Sequence, residues 1–249
     1  LMAGEADKGD FDILVLGNGT GTFASQCKKY FAHAKVEGVE IDGKITELAK
    51  RYFKLPDEVR VTTYDGRAFL NVIDTKYDVI MVDAYQDITI PFQMSSLEFF
   101  TLVKEHLKED GVMVVNMNMR GQEEGNINQY LADTISHVFS EIFTVDVPGT
   151  TNRELFASDN PNMMFLFEKN RETLSEGKTT GGPELSEMLQ QVCAGMDPYE
   201  PGKYLMTDDK APVELLGMQV IDDLIQGEIG YYKDIFKKEG IQGLLNHLR

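Results

Sequence analysis

Three acids that follow apolar runs, Glu40, Asp65 and Asp83, lie downstream of a glycine loop, Gly17-Asn18-Gly19-Thr20-Gly21-Thr22. Together they have the spacing of a nucleotide or nucleoside site. The loop ends Ile13-Leu14-Val15-Leu16, an apolar run that reads as a strand buried on both faces. Its glycines let the backbone turn sharply while a ligand approaches without meeting a Cβ atom. A helix over 21–31 comes next, and its free N-terminal amides favour electron-rich groups. Glu40, about twenty residues beyond the loop at the tip of the second strand, can accept both hydroxyls of a ribose. Asp65, after the short strand Val59-Arg60-Val61-Thr62, is placed to accept the exocyclic amine of adenine. Asp83 closes the fourth strand, Tyr77-Asp78-Val79-Ile80-Met81-Val82, where a carboxylate can bind an alkyl ammonium, orient it and take its proton. A strand-end Asp also caps turns, and Asp65-Gly66 also makes an ordinary turn.

The elements that must position these residues alternate strand with helix as far as Phe167. Beyond the fourth strand the pattern predicts a helix over 95–107, a strand over 111–118, a helix over 126–139, a strand over 143–147 and a last strand over 163–167. Such alternation predicts a mostly parallel, doubly wound α/β sheet with ligands above the carboxyl ends of its strands. From Asn170 the text changes to short helical stretches split by glycines and prolines. The expected organisation is therefore a nucleoside-binding α/β domain over 1–169 and a helical C-terminal extension over 170–249. Within the extension, Thr207-Asp208-Asp209-Lys210 reads as a solvated acidic loop, with Asp208 or Asp209 a candidate second contact for an amine. Asn116 and Asn118 are polar residues at the functional edge, while Met117, Met119, Met163 and Met164 read as strand-core packing.

From the residues alone, dinucleotides and S-adenosylmethionine both fit the glycine loop, and Asp65 with Asp83 suits an adenosyl sulfonium better than a hydride donor. The segments resemble the spermidine synthase group of polyamine aminopropyltransferases, on the Rossmann-like class I methyltransferase fold. The resemblance spans roughly Asp12 to Val147 and runs through the loop, Val39-Glu40-Ile41-Asp42, Asp65-Gly66-Arg67-Ala68-Phe69, Val82-Asp83-Ala84-Tyr85, and Ser96-Leu97-Glu98-Phe99-Phe100 leading to Gly111-Val112-Met113-Val114-Val115-Asn116. It is most similar to the domains of this kind that some bacteria attach to membrane segments. It implies that Gly17, Asn18, Gly19, Thr20, Gly21, Glu40, Ile41, Asp65, Gly66 and Ala84 hold the donor, with Glu40 on the ribose and Asp65 and Gly66 on the adenine. It places Asp83 beside the reacting amine, as the catalytic residue, and Tyr85, Gln86 and Asp87 around the acceptor. The implied co-substrate is S-adenosylmethionine or its decarboxylated form, with no metal.

Three departures from that family shape the expectation. Thr20 stands where spermidine synthases usually carry an Asp, and a hydroxyl tolerates the carboxylate of intact S-adenosylmethionine where an Asp repels it. Ala84-Tyr85-Gln86 stands in place of Ser-Ser-Asp. Only about ten residues precede Phe11, where the family carries a β-hairpin domain. The short start suggests a piece of a longer protein, with any membrane anchor upstream of Leu1 and this domain facing the cytoplasm. No apolar run is long enough to cross a bilayer, and nothing reads as a signal peptide.

The net charge of −17, from 24 basic and 41 acidic residues, argues against nucleic acid and is compatible with a cationic small molecule. Cys27 and Cys193 have neither zinc nor disulfide spacing, and His33, His106, His137 and His247 lack metal-ligand spacing. The readings that follow are alkyl transfer, aminopropyl or methyl, to a small-molecule amine or polyamine, methyl transfer to another substrate, and a non-catalytic nucleoside or polyamine sensor for an attached membrane portion. Self-association is compatible with each.

Overall fold

The computed structural model describes residues 1–4, 10–84, 90–117, 124–175 and 182–247. Among them β1 (Asp12–Leu16), β2 (Lys35–Glu40), β3 (Arg60–Thr63), β4 (Tyr77–Val82), β5 (Leu107–Met117), β6 (Glu141–Asp146), β7 (Arg153–Ser158) and β8 (Met196–Pro198) form one sheet in the order β3-β2-β1-β4-β5-β7-β6-β8. β1 is apolar at four consecutive positions and buried on both faces, and it lies between β2 and β4 inside the sheet. The five strands from β3 to β5 are parallel, whereas β7 is antiparallel to both β5 and β6, and β8 pairs antiparallel with β6.

The helices are α1 (Thr22–Tyr30), α2 (Gly43–Tyr52), α3 (Gly66–Leu70), α4 (Leu97–Glu105), α5 (Ile127–Ser136), α6 (Met163–Ser175), α7 (Gly182–Ala194) and α8 (Val213–His247), the last broken at Gly240. Side chains of Asp42, Asp65, Ser96 and Asn126 cap the starts of α2 to α5 by accepting backbone N–H groups. Alternate residues of each strand enter different layers, as a two-residue period requires. Leu14, Leu16, Ile80, Val82, Met113, Val115 and Leu155 pack with Phe69, Phe99, Phe100, Val103, Leu131 and Ile135 of α3, α4 and α5. On the other face Ile13, Val15 and Met81 meet Ala24, Cys27 and Ala49 of α1 and α2, and Val112 meets Met163, Phe167, Leu185 and Leu189 of α6 and α7. The sheet is therefore doubly wound and mostly parallel.

One expected element is wrong. The strand expected over 163–167 is the start of α6, in which Met163 and Phe167 are buried and Phe165 is 66% exposed. An apolar run of this length has no period of its own, and burial four residues apart settles it as helix. The strand is instead Arg153–Ser158, whose charged start hides its alternation. Met117 packs in β5, Met163 packs from a helix, and Met119 lies outside the described residues.

The C-terminal segment is tied to this framework rather than draped over it. α6 runs through residues 169 and 170, and β8 adds a strand to the sheet. Asp133, fully buried on α5, accepts hydrogen bonds from Tyr199 Oη at 2.5 Å, the Tyr204 N–H at 2.9 Å and the Gly202 N–H at 3.1 Å. A Cβ at position 202 would lie 2.3 Å from Asp133 Oδ2, so only glycine fits there. One buried carboxyl group thus accepts from three donors of the C-terminal segment. Asp133→Ala orphans all three, and urea denaturation should show a loss on the order of 3 kcal/mol; a loss under about 0.5 kcal/mol, the range of an ordinary surface substitution, would contradict this anchoring.

Candidate active site

The site follows from the register of five strands. Val39, Leu16, Val82, Val115 and Leu155 face one another across β2, β1, β4, β5 and β7, and all are buried in the core. One residue nearer the carboxyl edge on each strand are Glu40, Gly17, Asp83, Asn116 and Glu154, where β7, being antiparallel, contributes the residue that precedes Leu155. Alternation sends the first row into one apolar layer, so the second row turns to the opposite face at the rim. Residues more than a hundred positions apart in sequence thereby form one transverse line.

Gly17 makes the line possible. Its φ is 83°, and a Cβ there would lie 2.3 Å from the carbonyl oxygen of Asp83. The Asp83 N–H donates to Leu16 O at 2.9 Å, and the N–H groups of Gly17 and Asn18 both donate to Val39 O. The buried Glu40 then fixes the loop, accepting from the Gly19 N–H at 2.8 Å through Oε2 and from the Asp42 N–H at 3.0 Å through Oε1. Each oxygen keeps a lone pair for a ligand hydroxyl. Asn18 is buried against Gly38, and neither of its amide atoms has a partner; a Cβ added at Gly19 would meet nothing within 4 Å. An orphaned buried amide beside an open backbone position fits a loop that receives a polar ligand. Thr20 Oγ1 lies 3.2 Å from Thr22 Oγ1, so the loop offers hydroxyls and no carboxylate. Ile41, 56% exposed beside Glu40, presents an apolar surface suited to a flat base.

Asp65 caps α3, with Oδ1 accepting the Ala68 N–H at 2.8 Å, which leaves its other oxygen for a ligand. Gly66 brings the start of α3 against Leu16 of β1, where a Cβ would lie 3.6 Å from the Leu16 side chain. Asp208 is not available as a second amine contact. Its two oxygens take both terminal nitrogens of Arg67 at 2.7 and 2.6 Å, and Ser96 donates to it at 2.6 Å. That pairing holds the Asp208 carboxyl below the usual carboxylate range. Ala84 is half-buried, packed on the core behind Asp83. Tyr85, Gln86, Asp87 and Asn118 lie outside the described residues.

Of the three acids in the row, Asp83 and Glu154 are the two whose carboxyls burial shifts. Burial pushes the Asp83 carboxyl up, and the Asn116 amide, donating to Oδ1 at 2.9 Å, opposes that shift. Burial pushes Glu154 up to about 7, and repulsion from Asp83 adds to it. Glu154 stands opposite Asn116 on β7. Sequence reasoning misses it because no element is expected over 153–158; the alternation of Leu155 and Ala157 with Glu154 and Phe156 is the signal that could find it.

Linkage fixes the sign of a consequence for stability. Folded Glu154 holds its proton up to about pH 7, against an ordinary value of 4.5, so between these values the folded protein binds more protons and its stability falls as pH rises. Glu154→Gln removes that slope. At pH 8 the variant should be more stable than the wild type by about 2 kcal/mol in urea denaturation, and at pH 4 nearly equal to it; a variant less stable at pH 8 would contradict the buried charge.

The spermine/spermidine synthase domain family model matches residues 2–158, which contain the entire row. A probable polyamine aminopropyl transferase of Bifidobacterium longum is 52% identical over 245 residues, covering 93% of this chain and 54% of that protein, so the chain spans about half the length of this relative. A spermidine synthase solved in complex with the transition state analogue AdoDATO has a TM-score of 0.61 at 20% identity, over 75% of this chain and 66% of that one. Human methyltransferase-like protein 13, solved with SAH, has a TM-score of 0.56 at 23% identity, over 74% of this chain and 81% of that one. These two structures share the Rossmann-like methyltransferase fold expected from the sequence, and the family match settles the rest: this chain belongs to the spermine/spermidine synthase family.

Proposed function

We propose that this chain carries the active site of a polyamine aminopropyltransferase, which moves an aminopropyl group from decarboxylated S-adenosylmethionine to a small-molecule amine in the cytoplasm. The observation that carries the reading is the transverse row. It sets Glu40 on β2 and Asp83 on β4 two strand spacings apart, about 10 Å, across the glycine loop of β1. That is the span from a ribose past its sulfonium to an incoming nitrogen. Family membership and the 52% identical relative support the same reaction. In the division of labour we propose, residues 1–169 hold the site and 170–249 form an extension that braces it.

In this reading Glu40 accepts the ribose hydroxyls, Asp65 and Gly66 receive the adenine, with Ile41 against its face, and Gly17 to Gly21 pass beneath the sulfonium. A neutral thioether leaves, so no general acid is needed. The chain must supply alignment and a deprotonated nucleophile. Asp83 does both: its carboxylate binds the ammonium, aims the nitrogen along the carbon–sulfur axis, and accepts the proton as the lone pair attacks. Its raised proton affinity makes it a better base than a solvated Asp. Tyr85, Gln86 and Asp87 belong to the acceptor side of the same site in this proposal.

Thr20 favours a second reading, methyl transfer from intact S-adenosylmethionine, because a hydroxyl-lined loop accommodates the donor's carboxylate. Mass spectrometry of reactions containing 1,4-diaminobutane and each donor separates the two. Aminopropyl transfer gives methylthioadenosine and a product longer by one aminopropyl unit; methyl transfer gives S-adenosylhomocysteine and a methylated amine. With the productive donor, Asp83→Asn should lower kcat by about 10²- to 10⁴-fold while donor binding is kept. Unchanged turnover in that variant would sink the role given to Asp83.

A further inference from the structure

The proposed reaction leaves Glu154 and the free half of the Asn116 amide without a task. Asn116 spends its N–H on Asp83, and its Oδ1 is buried with no hydrogen-bond partner. Asp83, whose Oδ1 takes that N–H, closes the neighbouring β4, and Glu154 is the register partner of Asn116 on β7, near enough to Asp83 for the two acids to repel. The neighbouring charges do not neutralise Glu154: Arg153 is bound to Asp146 at 2.7 Å, and among the described residues no lysine or arginine pairs with Glu154. Two acids and an amide oxygen without a partner thus stand at neighbouring positions along one edge. Left alone they repel, and the arrangement needs a donor-rich cation to become favourable.

We infer that Glu154, Asn116 Oδ1 and Asp83 form a three-acceptor seat for one primary ammonium, and that Glu154 selects a primary over an N-alkylated amine as the acceptor substrate. This rests on the proposed amine-transfer reading and adds a residue and a specificity to it. A primary ammonium carries three N–H donors, one for each acceptor. A tertiary ammonium carries a single donor and bulk where the other two belong. The backbone makes the seat possible because β7 enters the sheet antiparallel, so an acid at its start arrives beside the ends of β4 and β5. The burial and repulsion that raise the Glu154 carboxyl are relieved when a cation sits between the two acids, so binding near neutral pH expels a proton from Glu154.

Calorimetric titration of the chain loaded with methylthioadenosine tests this, with 1,4-diaminobutane and its N,N,N′,N′-tetramethyl derivative as probes. The wild type should bind the primary diamine, and do so more tightly than the methylated one. Glu154→Gln should weaken the primary diamine by about ten- to a hundredfold, erase most of the preference and leave methylthioadenosine binding unchanged, while Glu154→Asp recovers part of the loss. In the wild type alone, heats measured at pH 7 in two buffers of different ionisation enthalpy should differ because a proton is released. Equal diamine affinity in wild type and Glu154→Gln, or buffer-independent heats in the wild type, would overturn the seat. Failure of the wild type to bind methylthioadenosine is a separate result, which would overturn the adenosyl site itself and this inference with it.

Discussion

The site depends on the close approach of Gly17 to the end of β4. Two parallel strands can end side by side at any distance their side chains allow, and here the distance is set by the absence of one. The Asp83 carbonyl occupies the volume a Cβ would take, and the hydrogen bond from the Asp83 N–H to Leu16 O locks the strand ends together. Once β1 and β4 are joined at that level, ladder pairing carries the alignment outward, to Glu40 on β2 and to Asn116 and Glu154 on β5 and β7. The row is a property of backbone register, and a slip of one residue would turn each of its side chains to the other face.

What the register assembles is electrostatically unfavourable without a ligand. Two carboxyls, each shifted upward by burial, flank a single amide that donates to Asp83. A protein spends stability on such an arrangement where function needs it, and the buried Asp133 shows the contrasting case. There one carboxylate is matched by three donors and binds the C-terminal segment to α5. The same residue type is an anchor where the donors are internal and a candidate binding group where they are missing. The net charge of −17 adds a long-range attraction for cations that salt would weaken.

The parts legible in the sequence are those whose signal is local. An apolar run that ends in glycines, and a second that ends in an acid, give β1, the loop, β2 and Glu40 with no knowledge of the rest of the chain. Asp83 was visible for the same reason. Glu154 was not, because an antiparallel strand inserted between β5 and β6 shows its role only once its partners are known, and because Arg153 and Glu154 make its start look like loop. The run over 163–167 failed in the opposite way: all its residues are apolar, and only the exposure of Phe165 against the burial of Met163 and Phe167 distinguishes helix from strand. The pairing of Asp208 with Arg67 spans 141 positions. Long-range charge pairing leaves no trace in a short window.

A crystal structure of the protein with bound methylthioadenosine would show whether the transverse row at the carboxyl edge is the adenosyl and amine site. The ribose hydroxyls should lie on Glu40, the base between Ile41 and Asp65, and the sulfur above Gly17 with a lone pair, where the bond to the aminopropyl carbon was, directed to Asp83 and its methyl group turned away. A ribose held away from Glu40, or a sulfur turned from Asp83, would contradict that assignment.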